Sequence, residues 1–281
     1  MWFFEKAAVC VDTRTAAVAV YKTMPSGPRL LRFAFERFGS RPREGAPFKD
    51  VLGDSREAIA RLVKELRAPL RDATILLPIG AAYPAIVDVK SLRKAQGAEL
   101  DEEDLVRFRL APLLPFPVSD AEIRFEPLGP ASGMILGQAI LRAAIIEGER
   151  VMASLGFPRV SVTSALSAAL RGLKPEGEAV DLVFGDSACA IVVRNVSGAI
   201  ESIHLRLLIE GDDRLQRSID EAQRAAPATR QIRVLGEAFP ATPDHLGDVP
   251  VQLAFPAGAS EGPANPQEFP FLALFHEGAR R

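Results

Sequence analysis

Ala179 to Ile200 reads AVDLVFGDSACAIVVRNVSGAI, and this stretch decides the fold. It opens on an apolar run, Ala179 to Phe184, followed by the tight-turn triplet Gly185-Asp186-Ser187. A second run, Ala188 to Val193, is rich in β-branched residues. Asn195 to Gly198 turns the chain again, and Ala199 to Leu205 starts a third strand. The pattern is a β-meander, near-continuously apolar, and so predicted to be buried on both faces. The N-terminus repeats the idea. Lys6 to Asp12 is an apolar strand, Thr13-Arg14-Thr15 a turn, and Ala16 to Tyr21 the return strand. A break at Met24 to Pro28 leads to a third strand, Leu30 to Phe38. Two such meanders far apart in one chain predict two related lobes.

Composition bounds what those lobes do. A chain of 281 residues has ample length for one large or two modest domains. Apolar content of 48% and charged content of 25% are those of a soluble globular protein. A formal net charge of −2 gives no general attraction to nucleic acid or anionic lipid. Cys10 and Cys189 have no CxxC spacing and fall in predicted buried strands, so they read as small core residues of a reducing compartment. No apolar run reaches membrane-spanning length, and Met1-Trp2-Phe3-Phe4 runs straight into Glu5-Lys6, too short for a signal peptide.

Between the meanders, Gly39 to Pro47 is a Pro/Gly-rich loop, and Asp54-Ser55 are read as the cap of a helix running to about Leu66. Ala73 to Ile79 is a strand, Gly80 to Tyr83 a turn, and Pro84 to Val89 a short strand. From about Tyr83 the character changes. Leu100-Asp101 starts a helix with Leu105, Val106, Phe108 and Leu110 expected on its buried side. Ala111 to Pro117 carries three prolines, which restrict their neighbours and predict an extended, rigid apolar ledge packed on the Ile123/Phe125 face. Glu122 to Leu128 alternates as a half-exposed strand, Met134 to Ala144 is an apolar strand, and Glu147 to Leu155 a helix ended by Gly156 and Pro158. Arg159 to Val162 is a strand and Thr163 to Leu173 a helix leading to the second meander. Beyond it come an amphipathic helix, Asp212 to Ala225, and strands at Ile232 to Leu235 and Val249 to Phe255.

In this order the phrases AVCVDTRTAAVAVY (Ala8 to Tyr21), LLPFPVSDAEIRFEPL (Leu113 to Leu128), VMASLGFPRVSVTSALSAAL (Val151 to Leu170) and IRVLGEA (Ile232 to Ala238) resemble the PilM proteins of type IV pilus assembly and their GspL relatives in type II secretion. The resemblance implies an α/β fold of the actin-like (ribonuclease H-like) kind, with two lobes, an inserted α+β subdomain and a reduced second lobe. It divides the chain into a first lobe over 1–82, an insertion over 83–156, a return to the first lobe over 157–175 and the second lobe over 176–281.

The departures from that family bear on chemistry. Its ATPases open with Asp-Ile-Gly and a hydroxyl residue that cradle phosphate. Here Asp12 is present, but Arg14 stands in place of the glycine and Ala19 in place of the later lysine. A side chain at the glycine position blocks close approach of phosphate to backbone. In the second meander the expected aspartate falls on Phe184 or Gly185, with Asp186 displaced by a residue or two. The Gly-Gly that lies beneath the base becomes Gly236-Glu237. Only Arg206 to Gly211 intervene where the outer part of the second lobe belongs, so the cleft is expected to stand open to water, which weakens charge stabilisation. Asp12, Asp186 and Gly236 are therefore read as a vestigial nucleotide site; the competing role for Asp186 is that of an ordinary turn residue. No cofactor is expected. ATP with Mg²⁺ belongs to the alternative reading, an active actin-like ATPase or small-molecule kinase of the same superfold.

Other chemistries are thin. His204, His245 and His276 are isolated in sequence, Ser187 lacks the G-x-S-x-G elbow, and Glu99 with Asp101 to Asp104 reads as a solvated helix N-terminus. The implied function is a non-catalytic cytoplasmic scaffold, peripheral to the inner membrane through its partners. The implied partner is the cytoplasmic tail of a PilN-like or GspM-like bitopic protein; nucleic acid is not expected, and self-association is left open. Tyr83 and Pro84, where the first lobe passes into the insertion, are the candidate partner contacts, since they offer the amphipathic and apolar surface an extended peptide uses. The bland alternative makes Tyr83 a turn residue that covers the core.

Overall fold

The computed structural model describes residues 5–13, 15–24, 27–37, 48–96, 101–128, 133–172, 177–185, 188–208, 214–227, 229, 231–235, 245–246 and 249–253. Strands β1 (Glu5–Val11), β2 (Thr15–Met24) and β3 (Gly27–Arg37) form the first meander. Parallel strand β4 (Asp72–Leu77) joins β1, and β8 (Arg159–Ser164) joins β4, giving the order β3-β2-β1-β4-β8. Side chains alternate across these strands. Val9, Val18, Ile75 and Leu77 enter one core with Leu52, Ile59 and Leu62 of α1 (Phe48–Glu65) and Met152 of α4 (Arg142–Ser154). Ala8, Ala17, Ala19 and Leu76 face the other way and meet Ala168 of α5 (Ala165–Gly172). Small residues on this side let the helix lie close to the sheet.

The second sheet has the order β11-β10-β9-β12-β14-β13, from β9 (Ala179–Phe184), β10 (Ala188–Arg194), β11 (Ile200–Leu207), β12 (Ile232–Leu235), β13 (His245–Leu246) and β14 (Val249–Leu253). Every residue of β9 and β10 is buried, as the near-continuous apolar runs predict. Their two faces enter different cores. Val183, Ala190 and Val192 pack on Leu166 and Ala169 of α5. Val180, Leu182 and Ile191 pack on Ile219 and Ala222 of α6 (Arg214–Ala225). The β10–β11 turn is held by Asn195, whose Oδ1 accepts from the backbone amides of Ser197 and Ala199 at 3.0 and 3.1 Å. Gly198 there has φ +79°, a conformation that favours glycine. α6 follows β11 after a short connection, so no outer subdomain is interposed.

The third sheet, β5-β7-β6, is built from β5 (Ala82–Asp88), β6 (Ala121–Pro127) and β7 (Met134–Leu141). Its outer face carries α2 (Val89–Gln96) and α3 (Glu102–Leu110), with Leu105, Val106 and Leu110 over Ala85, Val87, Ile135 and Ala139. Asp101 caps α3 by accepting from the Asp104 amide at 2.8 Å. The inner face turns Leu136 toward α5 and Ile86 toward β11.

Several local expectations are corrected. α1 begins at Phe48, so Ser55 is interior rather than capping; its hydroxyl donates to the Leu52 carbonyl at 2.9 Å, which satisfies it inside the helix. Val89 opens α2, a helix the sequence reading did not foresee. Phe108 is 55% exposed and lies off the buried stripe of α3. Ala111–Leu113 forms a 3₁₀ turn before the chain extends, because proline tolerates the first turn of a helix. Residues 142–144 belong to α4, which packs on α1 and the first sheet; the small sheet itself closes at Leu141. The stretches 38–47 and 254–281, including the predicted terminal element, lie outside the described residues.

Candidate functional site

The strand ends of the two meanders meet. At the first, the Asp12 amide donates to the Thr15 carbonyl at 2.8 Å and Asp12 Oδ1 accepts from the Thr13 amide at 2.7 Å, which fixes the carboxylate on the turn. At the second, the Gly185 amide donates to the Ala188 carbonyl at 2.8 Å. A Cβ built on Gly185 would stand 2.6 Å from Asp12 Oδ2 and 3.6 Å from Ile79 Cδ1. The aspartate of one turn thus abuts the backbone of the other, and a side chain at 185 would push the Asp12 carboxylate aside. The resemblance places phosphate between these turns; here the Asp12 carboxylate stands against Gly185. Phe184, expected to face a ligand, is instead buried in the α6 core. The other members, Asp186 and Gly236, lie outside the described residues, as do Arg14 and Glu237.

The second candidate is the junction of the first lobe with the small sheet. Tyr83 belongs to β5 rather than a turn and is partly exposed. Its ring meets Phe116 edge-on, centroids 5.5 Å apart and planes at 83°. Burial raises the Tyr83 phenol above its ordinary pKa. Leu114, Phe116 and Ile123 continue this apolar surface against the small-sheet core, and Leu113 beside them is 51% exposed. The proline-rich segment therefore forms the expected ledge on Ile123, while Phe125 stays exposed. Pro84 is buried and pairs with Gln138 on β7, so of the two candidate contacts Tyr83 alone reaches the surface. Proline suits β5 because it is an edge strand.

Two polar ties hold this junction, and sequence reasoning found neither. Gln138 Oε1 accepts from the hydroxyls of Ser164 and Ser167 at 3.0 and 2.7 Å, all three residues being buried. Arg124 on β6 donates through Nη1 to the Val162 carbonyl of β8 at 2.5 Å and through Nε to Glu122 at 2.7 Å. The first joins side chains, and the second a side chain to a backbone carbonyl, that are far apart in sequence. A third buried group had a legible signal: Asp181, a lone carboxylate in an apolar strand, must have partners. They are Arg194 Nε at 2.6 Å and Arg233 Nε at 2.5 Å. Cys189 is the core residue expected; burial pushes its thiol up to about 12. Among the described residues no group of three or more His, Cys, Asp or Glu is placed to hold a metal ion, and no helix is long and apolar enough to cross a membrane.

No family model matches this sequence, and no curated protein does. Solved structures do match. A chain of the PilM–PilN type IV pilus biogenesis complex is 16% identical, with TM-score 0.69 and 99% of both chains covered. The cytoplasmic domain of EpsL, an inner membrane component of the type II secretion system of Vibrio cholerae, is 12% identical, with TM-score 0.56 and 96% of this chain and 94% of that one covered. A Bacteroides thetaiotaomicron protein described as having an actin-like ATPase fold is 7% identical, with TM-score 0.54, over 84% and 83% of the two chains. The chain has the actin-like fold, in the form that the PilM–PilN complex and EpsL also display.

Proposed function

We propose that this protein is a non-catalytic cytoplasmic scaffold of a type IV pilus or type II secretion inner-membrane platform. It holds the cytoplasmic tail of a PilN-like or GspM-like bitopic partner and reaches the membrane through it. The observation that carries the reading is the full-length likeness to a chain of the PilM–PilN complex. Fold by itself does not fix function, so the sites must agree with it. They do so in two respects. Asp12 is packed against Gly185 where the family's phosphate would lie. The described parts of the first lobe and of the small sheet, by contrast, are tied by Arg124 and Gln138 and present an apolar ledge with Tyr83 beside it. Such a ledge suits an extended peptide, whose alternate side chains need apolar seats.

The test uses the full chain with photo-crosslinking residues placed singly at Tyr83, Leu113 and Val196, the last exposed in the second lobe. The probe is a synthetic peptide of the cytoplasmic tail of a PilN-like or GspM-like bitopic protein. Crosslinks are expected at Tyr83 and Leu113. Crosslinks at Val196 alone, or none at any of the three, would overturn the assignment.

A further inference from the structure

The end of the first lobe remote from the Asp12 turn is rich in cations. β1, β4 and β8 run parallel, so Glu5, Asp72 and Arg159 all start strands at this end. The connection from α1 into β4, residues 66–71, and that from α4 into β8, residues 155–158, lie here too. Lys64, Arg67 and Arg71 are exposed, and Lys6 is partly buried. Two nearby carboxylates are already engaged, Glu5 by Arg32 and Asp72 by Arg159, each at 2.5 Å. Among the described residues of this end, Glu65 is the carboxylate left to set against Lys6, Lys64 and Arg67. The formal net charge of the whole chain is −2, so the positive charge here is a local asymmetry.

The two helices close at this end with one hydrogen-bond pattern. At α1 the Ala68 amide donates to the Val63 carbonyl at 3.0 Å and the Arg67 amide to the Lys64 carbonyl at 3.1 Å. At α4 the Phe157 amide donates to the Met152 carbonyl at 3.2 Å and the Gly156 amide to the Ala153 carbonyl at 3.0 Å. Each cap holds one residue at positive φ: Gly156 at +92° and Arg67 at +48°. Glycine takes this conformation freely; arginine is strained in it. The strained residue is the one that carries a guanidinium off the helix end. Between the caps, Leu70 is 50% exposed, its Cδ1 3.4 Å from a Cβ built on Gly156. The sequence joined to β1 here is Met1-Trp2-Phe3-Phe4, and connectivity alone keeps it within about 14 Å of Glu5. Cations around an apolar side chain, with tryptophan and phenylalanine tethered beside them, match a bilayer, whose anionic headgroups overlie an apolar interior. A nucleic-acid backbone would use the cations and leave Leu70 without a role.

We infer that this end of the first lobe is a docking surface for an anionic lipid bilayer. Lys64 and Arg67 meet headgroup phosphates, with Lys6 behind them, and Leu70 enters the boundary between headgroups and acyl chains. In the reading above the partner supplies the link to the membrane. This contact is direct and its test omits the partner, so the two fail separately.

The test is co-sedimentation of the full chain with vesicles of phosphatidylcholine and phosphatidylglycerol in equal parts. Binding is expected at low salt, with little to vesicles of phosphatidylcholine alone. The emission of Trp2, the one tryptophan of the chain, should shift to the blue on binding. Arg67→Gly should bind about fivefold more weakly, the effect of one cation near a charged surface. It should do so without lowering the melting temperature, since glycine suits that φ. Arg224→Gln, the same loss of charge on α6, should bind as the parent does. Equal binding to both kinds of vesicle, no binding to either, or an equal loss from Arg224→Gln would each overturn the proposal. So would unshifted Trp2 emission with the protein bound, which puts the contact elsewhere. Displacement from the vesicles by a DNA duplex at equal phosphate would also overturn it, assigning the cations to nucleic acid.

Discussion

Asp181 is fully buried in the middle of β9, and both of its oxygens receive a guanidinium. Arg194 also donates to the Gly198 carbonyl at 2.9 Å, so the pair ties the body of the strand to its turn. Removing the single carboxylate leaves two cations facing each other out of water. Asp181→Asn keeps the shape and loses the charge, and is expected to cost about 3–5 kcal/mol in urea unfolding. A loss below the error of the measurement would mean the guanidinium groups find other partners. The Asp12–Gly185 contact makes a second claim at this scale. Gly185→Ala forces the Asp12 carboxylate aside and should destabilise by about 1–2 kcal/mol, and that cost should shrink in an Asp12→Ala background. Equal costs in both backgrounds would show that the two turns are not coupled.

Between elements, α3 lies on the small sheet at Gly137. A Cβ there would stand 2.5 Å from Val106 Cγ1 and 3.6 Å from Leu110 Cδ1, so the helix sits where only glycine permits. Gly137→Ala should lift α3 and cost about 1–3 kcal/mol, and Val106→Ala in the same chain should recover part of it. Thermal unfolding of the single and double variants checks this; no recovery would place the strain elsewhere. Because Val106 and Leu105 carry the helix, the exposed Phe108 is not needed for folding. At the inner face of the same sheet, Gln138 reads as an isolated polar residue in an apolar strand. Its two hydroxyl partners explain why burial there is tolerated.

On the scale of the whole molecule, the three sheets are pinned around α5. Leu166 and Ala169 share a core with Val183 and Ala190 of the second sheet and Leu136 of the third, while Ala168 faces Ala8 and Leu76 of the first. A lobe hinge built on this helix would have to break one of these contacts. With Asp12 against Gly185 where the two meander turns meet, tight nucleotide binding is not expected. Isothermal calorimetry with Mg-ATP should show no heat at millimolar-scale ligand. A micromolar dissociation constant, about −8 kcal/mol, would restore the ATPase reading.

The sequence by itself determined the two meanders, the crossover helices and the apolar ledge, since these follow from periodicity, turn residues and proline restriction acting over a few neighbours. It also carries the departures from the family's phosphate motifs on which the non-catalytic reading rests, since Arg14, Ala19 and Glu237 need no coordinates to be read. Element ends were less legible: Ser55 looks like a cap until its bond to Leu52 is seen, and Val89 looks like a strand end until it opens α2. Only the tertiary structure decided which polar residues act together. Asp181 with Arg194 and Arg233, Gln138 with Ser164 and Ser167, Arg124 with the Val162 carbonyl, and Asp12 with Gly185 are all joined across long sequence separations. Local pattern reports the direction of a side chain but not what the chain brings to meet it, because that depends on sheet order and on which lobe packs against α5.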